Sequence, residues 1–500
     1  LDLILAAVVV LSASSLGIPL FQVAAKKEKR WISGYVLVVA LLSALAIVAF
    51  NSVAPQPDPA FKNLLISDSL GNFFAIVTVT VALFVAVASL EALRKSDNAP
   101  VYYGLLSFTA LGMLLLSFTQ DLLMLFVSWE LMSLPTYVLA GFDKKRVQSN
   151  EASVKYAILG AMSSAILLYA ISLTYGLTGT TQIIPAVRSI AAQPFSLATS
   201  IAILLFVAGF GFKMSIVPFH MWIPDAYEGA PTTVSTLLAA ATKKAGFVAA
   251  IRVLLAVTTV YVITQNPIFT MANILAVLAL LTMTLGNAAA LTQRSMTRLL
   301  AYSSIAQAGY ILVGFVAYAY GQQTNAFSQQ TNAYFTEATI GMTGALFHIL
   351  NHAIMKGAAF LVAALVLLEL KRGDVQAYSG LGRRMPVAAF TMTVAFLALA
   401  GVPPLNGFWS KLLLFLSVIN GPFAWLAVAG IVNSAFSLGY YAWVIKRIYI
   451  DESESNEKVK EPIPFIVVFG VSVGLMIGLG LFPQQVINFA SSAVPNIFPR

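Results

Sequence analysis

Cysteine is missing from this 500-residue sequence, histidine occurs three times, and only 10% of positions are charged. Without cysteine there are no disulfides and no iron–sulfur clusters on their usual thiolate ligands. Three histidines leave little for haem. No GxGxxG fingerprint occurs, so a dinucleotide-binding fold has no foothold. The scarcity of charge goes with 59% hydrophobic residues and a mean hydropathy of +0.86, which excludes an ordinary soluble domain. Any soluble redox or nucleotide module therefore belongs to a partner.

What is present is a succession of apolar runs of helix-spanning length, fourteen of them between residues 1 and 484. The fold class follows: an all-α polytopic membrane protein with about fourteen transmembrane helices. The first run, Leu1 to Phe21, has its basic cluster (Lys26, Lys27, Lys29, Arg30) after the apolar residues, the reverse of a signal peptide, and is expected to stay as the first helix.

The net charge of +9 does not point to nucleic acid, because the basic residues sort by side of the membrane. Loops after odd-numbered spans carry the cluster at 26–30, Arg94 and Lys95, Lys144 to Arg146, Arg294 with Arg298, Lys371, Arg372, Arg383 and Arg384, and Lys446, Arg447, Lys458 and Lys460. Loops after even-numbered spans and the C-terminus have only Lys62, Arg188 and Arg500. The loop after the seventh span, "PDAYEGAP", has no basic residue and is short. The positive-inside rule then places both termini on the outer face of a plasma or inner membrane.

Several ionisable residues remain inside spans. Glu130 in "LFVSWELMSLPTYVL", Lys213 in "GFGFKMSIVPFHMWIP", Lys243 in "TLLAAATKKAGFV" and Lys411 in "GFWSKLLLF" each sit within apolar sequence. A charge at a helix centre costs about 2.5–3.5 kcal/mol even on permissive scales. One mid-span carboxylate cannot neutralise all these lysines, so some must be neutral, hydrated or exchanging protons. Lys155, one turn after Glu151, and Arg252 lie near span ends, where snorkelling or local pairing suffices. His220, next to Pro218 near a span end, reads as local helix-end structure. Adjacent Lys243 and Lys244 point about 100° apart, so one is expected to face the interior and the other to be spare or at a lipid edge.

The eleventh span contains "LFHILNHAIMKGAAFL", with His348, His352 and Lys356 at four-residue spacing. Such residues form a line about 12 Å long on one slowly winding face. Histidine accepts a proton on one nitrogen while donating from the other, so the line suits a proton path. Each histidine alone would read as a hydrogen-bonding residue between helices.

Two spans carry interruptions. The seventh has Gly211 and Pro218 around Lys213, and the twelfth has Pro403 and Pro404 before Lys411. Irregular backbone at membrane depth survives only where it lines protein or a wet cavity. The breaks lie five spans apart, as expected for two inverted five-helix repeats, a transporter arrangement. The expected division is residues 1–100 as an N-terminal three-helix segment, 101–256 as the first repeat (spans 4–8), 257–447 as the second (spans 9–13), and 448–500 as a cytoplasmic loop with the last helix. The polar stretch "GQQTNAFSQQTNAYF" (Gly321 to Phe335) is expected as an outer loop and "DESESNEKVKE" (Asp451 to Glu461) as a cytoplasmic connector.

"SWELMSLPTYVL", "FKMSIVPFHMWIPDAYEGAPTTVSTLLAAATKKAGF", "RLLAYSSIAQAGYILVG" and "YSGLGRRMPVAAFTMTVAFLALAGVPPLNGFWSKLLLF" resemble the antiporter-like membrane subunits of respiratory complex I, most closely subunit N, from about Val101 to Arg447. The resemblance implies proton translocation in a quinone-reducing dehydrogenase, with no cofactor or metal in this chain and with quinone, flavin and iron–sulfur clusters in partner subunits. By motif position, Glu130 looks like the family's fifth-span glutamate, Lys213 its partner, Lys243 the central lysine, and Lys411 the lysine of the outlet half-channel. The eleventh span looks more like the His/His/Lys line of subunit L, of Mrp-type antiporters and of membrane-bound hydrogenases. The chain ends soon after the fourteenth span, without the lateral helix of subunit L, which favours N. Similarity to archaeal forms implies F420H2, a ferredoxin or another carrier as donor in place of NADH. Expected partners are antiporter-like and quinone-site membrane subunits, lipid and protons.

Three other readings stay open on the residues alone. A sodium/proton antiporter subunit needs midplane carboxylates, and only Glu130 is clearly there. A quinone-binding catalytic subunit has no motif in its favour. A scaffold predicts that the lysines are dispensable.

Overall fold

The computed structural model describes residues 3–53, 63–192, 196–256, 270–327, 332–453, 455 and 457–494. Lys62, Arg500 and the expected repeat boundary at residue 257 lie outside the described residues. Among the described residues every regular element is a helix, as lipid demands of a chain that must satisfy its own backbone donors and acceptors.

Helices α1 (Leu3–Ala24), α2 (Ile32–Val53) and α3 (Ser69–Ala92) precede α4 (Ala99–Phe118), α5 (Leu122–Ala140) and α6 (Val147–Thr178). A short α7 (Ile183–Ala191) leads to α8 (Leu197–Met214) and α9 (Trp222–Gly229). Next come α10 (Thr232–Leu237) and α11 (Lys243–Ala250), joined and followed by π-helical turns at Leu238–Thr242 and Ile251–Leu255. The second half contains α12 (Met271–Leu291), α13 (Met296–Phe327), α14 (Asn332–Leu370) and the short α15 (Leu381–Arg384). It ends with α16 (Pro386–Ala400), α17 (Asn406–Leu416), α18 (Ala424–Tyr449), α19 (Ile463–Leu481) and α20 (Pro483–Ala493).

Among the described residues, twelve helices are long and apolar enough to cross a membrane. The other two of the fourteen expected spans are the eighth, here the π-turned segment from Thr232 to Leu255, and the interrupted twelfth, here the pair α16 and α17. One expectation is corrected. Every described residue of the polar stretch from Gly321 to Phe335 is helix, since α13 runs to Phe327 and α14 begins at Asn332. Backbone hydrogen bonding carries these helices beyond their apolar sequence, and α14 alone is roughly 58 Å long at 1.5 Å per residue, against a hydrocarbon core of about 30 Å.

Burial runs from the rim inward. Large apolar side chains such as Leu16, Leu20, Val39, Val127 and Ile158 face outward, as a lipid-facing surface requires. Every residue from Thr232 to Ala256 is buried, and so is 94% of the most apolar stretch of α13. With α14 these helices form the centre of the bundle.

Both expected breaks are real. At the first, Ser215 adopts a left-handed conformation (φ 69°) and ends α8, and the Val217–Pro218 bond is cis. The freed backbone groups find partners: Val217 N–H donates to Thr282 Oγ1 at 3.0 Å, and Trp222 Nε1 donates to Phe212 O at 3.0 Å. At the second, Gly401 (φ 88°) ends α16, and the Pro403–Pro404 bond is cis. Asn351 and Asn406 then staple α14 to the start of α17 through reciprocal 2.9 Å hydrogen bonds.

Candidate functional site

The interior of the bundle holds a line of basic side chains solvated by hydroxyls and backbone carbonyls. At one end, Lys213 occupies the last turn of α8, is 2% exposed, and donates to Ser133 Oγ (3.0 Å) and Tyr156 OH (2.9 Å). Its Nζ also lies 5.4 Å from the Tyr156 ring centroid and 6.0 Å from that of Trp129. Glu130 sits on the same helix as Ser133 but is only partly buried and accepts a hydrogen bond from Ser164 of α6. The expected Glu130–Lys213 partnership is therefore not a contact ion pair: hydroxyl-bearing side chains, not the carboxylate, hold the ammonium.

Helix α11 approaches Lys213 through Gly246, where a Cβ would stand 3.0 Å from Lys213 Cβ. One turn earlier, Lys243 donates to Ser304 O (2.6 Å) and Ser304 Oγ (3.3 Å) on α13. Lys244 is also fully buried and hydrogen-bonds His352 Nδ1 on α14. The expectation that one of this pair is spare or at a lipid edge is thus overturned for Lys244. The two side chains do diverge, but this helix is enclosed on every side, so both directions lead into protein.

The four-residue line on α14 is entirely buried, with His348, His352 and Lys356 each 0% exposed. Lys356 donates to Ser303 Oγ and lies 6.0 Å from the Tyr441 ring. His348 contacts Ser410 Oγ through Nδ1 and Gln307 Oε1 through Nε2, both at 2.9 Å. At the far end, Lys411 donates to Leu399 O (2.9 Å), Ala400 O (3.0 Å) and Ser434 Oγ (2.7 Å). Two of these acceptors are helix-end carbonyls in the last turn of α16, where the helix dipole favours a cation. The Tyr310 ring covers Lys411 at 4.7 Å.

The remaining candidates lie off this line. Lys155 is part-exposed and pairs with Glu151 (2.6 Å) and Asp225 (2.8 Å), in a cluster that continues from Asp225 to Arg298 (2.9 Å) and Glu228 (3.0 Å). Arg252 makes a bidentate pair with Asp68 at 2.8 and 3.0 Å, and adds Ser117 O, instead of snorkelling. His220 is part-buried between α8 and α9, and its Nδ1 has no hydrogen-bond partner.

The sequence reading missed the acceptors. Ser303 and Ser304 hold Lys356 and Lys243, Gln307 and Ser410 flank His348, Ser133 and Tyr156 hold Lys213, and Ser434 holds Lys411. A signal was present in "YSSIAQAGY", where polar residues three and four apart share a face of an otherwise apolar helix.

The chain is similar to known membrane proteins along most of its length. A family model described as "NADH:quinone oxidoreductase/Mrp antiporter, TM" fits residues 119–336 and 329–437. The F(420)H(2) dehydrogenase subunit N of Methanosarcina mazei is 38% identical, with 99% of each chain covered. The NADH-quinone oxidoreductase subunit N of Desulfitobacterium hafniense is 36% identical over 92% of this chain and 91% of that one. A chain of respiratory complex I from Thermus thermophilus with bound Aureothin superposes with a TM-score of 0.78 at 30% identity, covering 97% of this chain and 99% of its own. This chain belongs to the NADH:quinone oxidoreductase/Mrp antiporter family of membrane proteins, as a complex I-type antiporter-like subunit.

Proposed function

We propose that this subunit translocates protons along Glu130, Lys213, Lys243, Lys244, His352, Lys356, His348 and Lys411, driven by redox chemistry in partner subunits. The observation that carries the reading is the imbalance of the line: five buried lysines and two buried histidines are solvated by hydroxyls, carbonyls and one another, with one carboxylate at its edge. Seven bases so close together cannot all be charged in a low-dielectric interior, so protonation is shared among them. A change in the charge of Glu130 acts on Lys213 through the intervening hydroxyls. Gly246 brings the central helix against Lys213, and the α14 line carries the effect to Lys411 at the second break.

The cofactors of the reaction, quinone, flavin and iron–sulfur clusters, belong to partner subunits in this reading, along with the site that reduces quinone. The electron donor is F420H2, by likeness to the Methanosarcina protein. The division into an N-terminal segment and two repeats with a break in each puts the inlet half-path in residues 101–256 and the outlet half-path in residues 257–447. The basic loops place both termini on the outer face of the cell membrane.

The test is redox-driven proton uptake in sealed vesicles containing the whole complex, with assembly monitored. Lys213→Ala and Lys411→Ala are each expected to abolish uptake in an intact complex. Undiminished uptake in both would remove the lysine path, and sodium flux persisting without an electron donor would favour an antiporter.

A further inference from the structure

Both ring nitrogens of His348 face groups whose own hydrogens are committed elsewhere. Ser410 Oγ donates to Gly407 O at 3.1 Å and has no second hydrogen to offer. Gln307 Nε2 donates to Leu399 O at 3.3 Å, which turns its carbonyl oxygen toward His348. In this arrangement Nδ1 and Nε2 are both donors, the pattern of an imidazolium. Neutral histidine has one donor, so one neighbour must adapt when the ring loses a proton. The Gln307 amide oxygen can only accept, and Nε2 therefore keeps its hydrogen. Ser410 can adapt, by rotating its hydroxyl from Gly407 O to the emptied Nδ1.

We propose that Gln307 is a positioning residue that fixes the tautomer of His348, so that the proton is exchanged only at Nδ1, on the Ser410 side facing the second helix break. The inference rests on the proton path proposed above. When the N–H bond at Nδ1 breaks, the proton passes by way of water to the neutral amine of Lys411, completing the ammonium that donates to Leu399 O, Ala400 O and Ser434 Oγ. Leu399 O is the shared element, accepting from Gln307 and from Lys411. The partner of one ring nitrogen setting the chemistry of the other is a general property of histidine sites.

The ionisable groups facing His348 are His352 one turn along α14 (ring centroids 6.4 Å), Tyr310 on α13 (6.3 Å), Lys411 on α17 and Lys244 on α11. A carboxylate among them is missing, and Gln307→Glu would supply one.

The experiment measures proton uptake by the whole complex in sealed vesicles across neutral to alkaline pH. Gln307→Leu, similar in volume but unable to accept, is expected to slow uptake by roughly tenfold, part of the contribution a positioned proton-transfer group makes. Gln307→Glu keeps the acceptor but holds the imidazolium, so its uptake should be depressed at lower pH and recover as pH rises. Ser410→Ala should slow uptake, and Ser410→Thr, which retains the hydroxyl, should restore it. Wild-type rates in Gln307→Leu would overturn the proposal, as would equal losses in both Gln307 variants with an unchanged pH profile, since that is the signature of packing alone. Lys411→Ala is the control. If it abolishes uptake while Gln307→Leu does not, the tautomer inference fails alone; if it leaves uptake intact, the path fails and takes the inference with it.

Discussion

Lys244 Nζ and His352 Nδ1 are hydrogen-bonded across the junction of α11 and α14, two bases sharing one contact. One of them must present a lone pair, so a full ammonium and a full imidazolium cannot coexist there. The pair therefore holds one excess proton at most and titrates as a unit. His352 Nε2, on the other side of the ring, has no protein partner, which leaves it free to bind a water.

From this contact, Lys244→Ala and His352→Ala are each expected to slow redox-driven proton uptake in vesicles of the whole complex by at least about tenfold, a barrier increase near 1.4 kcal/mol. The double variant should be no slower than the worse single one, because both remove the same shared proton. Additive losses would show that the two residues act separately.

Lys213 is held by Tyr156 and Ser133, and Tyr156 also stacks on Trp222 with centroids 4.5 Å apart. Tyr156→Phe keeps the stack and removes one hydrogen bond to the ammonium, a loss of about 1.5–3 kcal/mol. Assembly should survive while proton uptake falls. Adding Ser133→Ala should deepen the loss, and normal uptake in the double variant would show that Lys213 does not need these hydroxyls.

Arg252 and Asp68 tie the central helix to the start of α3, each with a side chain 7% exposed. Arg252→Met leaves Asp68 buried without its partner and is expected to destabilise by roughly 3–5 kcal/mol. Thermal unfolding of the purified complex reads the effect. Arg252→Met combined with Asp68→Leu should recover much of it, and uptake per assembled complex should stay near wild type, because the pair stands apart from the line.

Asp225 lies outside the membrane-crossing helices. Partial burial pushes its carboxyl upward, but hydrogen bonds from Lys155 and Arg298 outweigh burial and hold it below the usual carboxylate range. Because the folded value is depressed, its stabilisation is present above the ordinary value near 3.9 and is lost as pH falls through the folded one. Acid unfolding should therefore begin at higher pH in Lys155→Met, in which the carboxyl is less depressed. An unchanged acid midpoint would show that the cluster contributes nothing to stability.

The sequence by itself determined the membrane fold, because helix-length apolar runs leave the chain no other way to satisfy its backbone in lipid. It also marked the two breaks, since Pro218 and Pro404 cannot continue a helix, and it marked the line on α14 through its four-residue period. Tertiary structure decided what those residues touch. That Lys244 faces His352 and not lipid depends on α11 being surrounded by other helices, which periodicity cannot reveal for a segment buried on every side. That Lys213 rests on Ser133 and Tyr156, not on Glu130, depends on how α5, α6 and α8 pack. Serines and glutamines look neutral in a sequence, and only the fold shows which of them aim at a buried base.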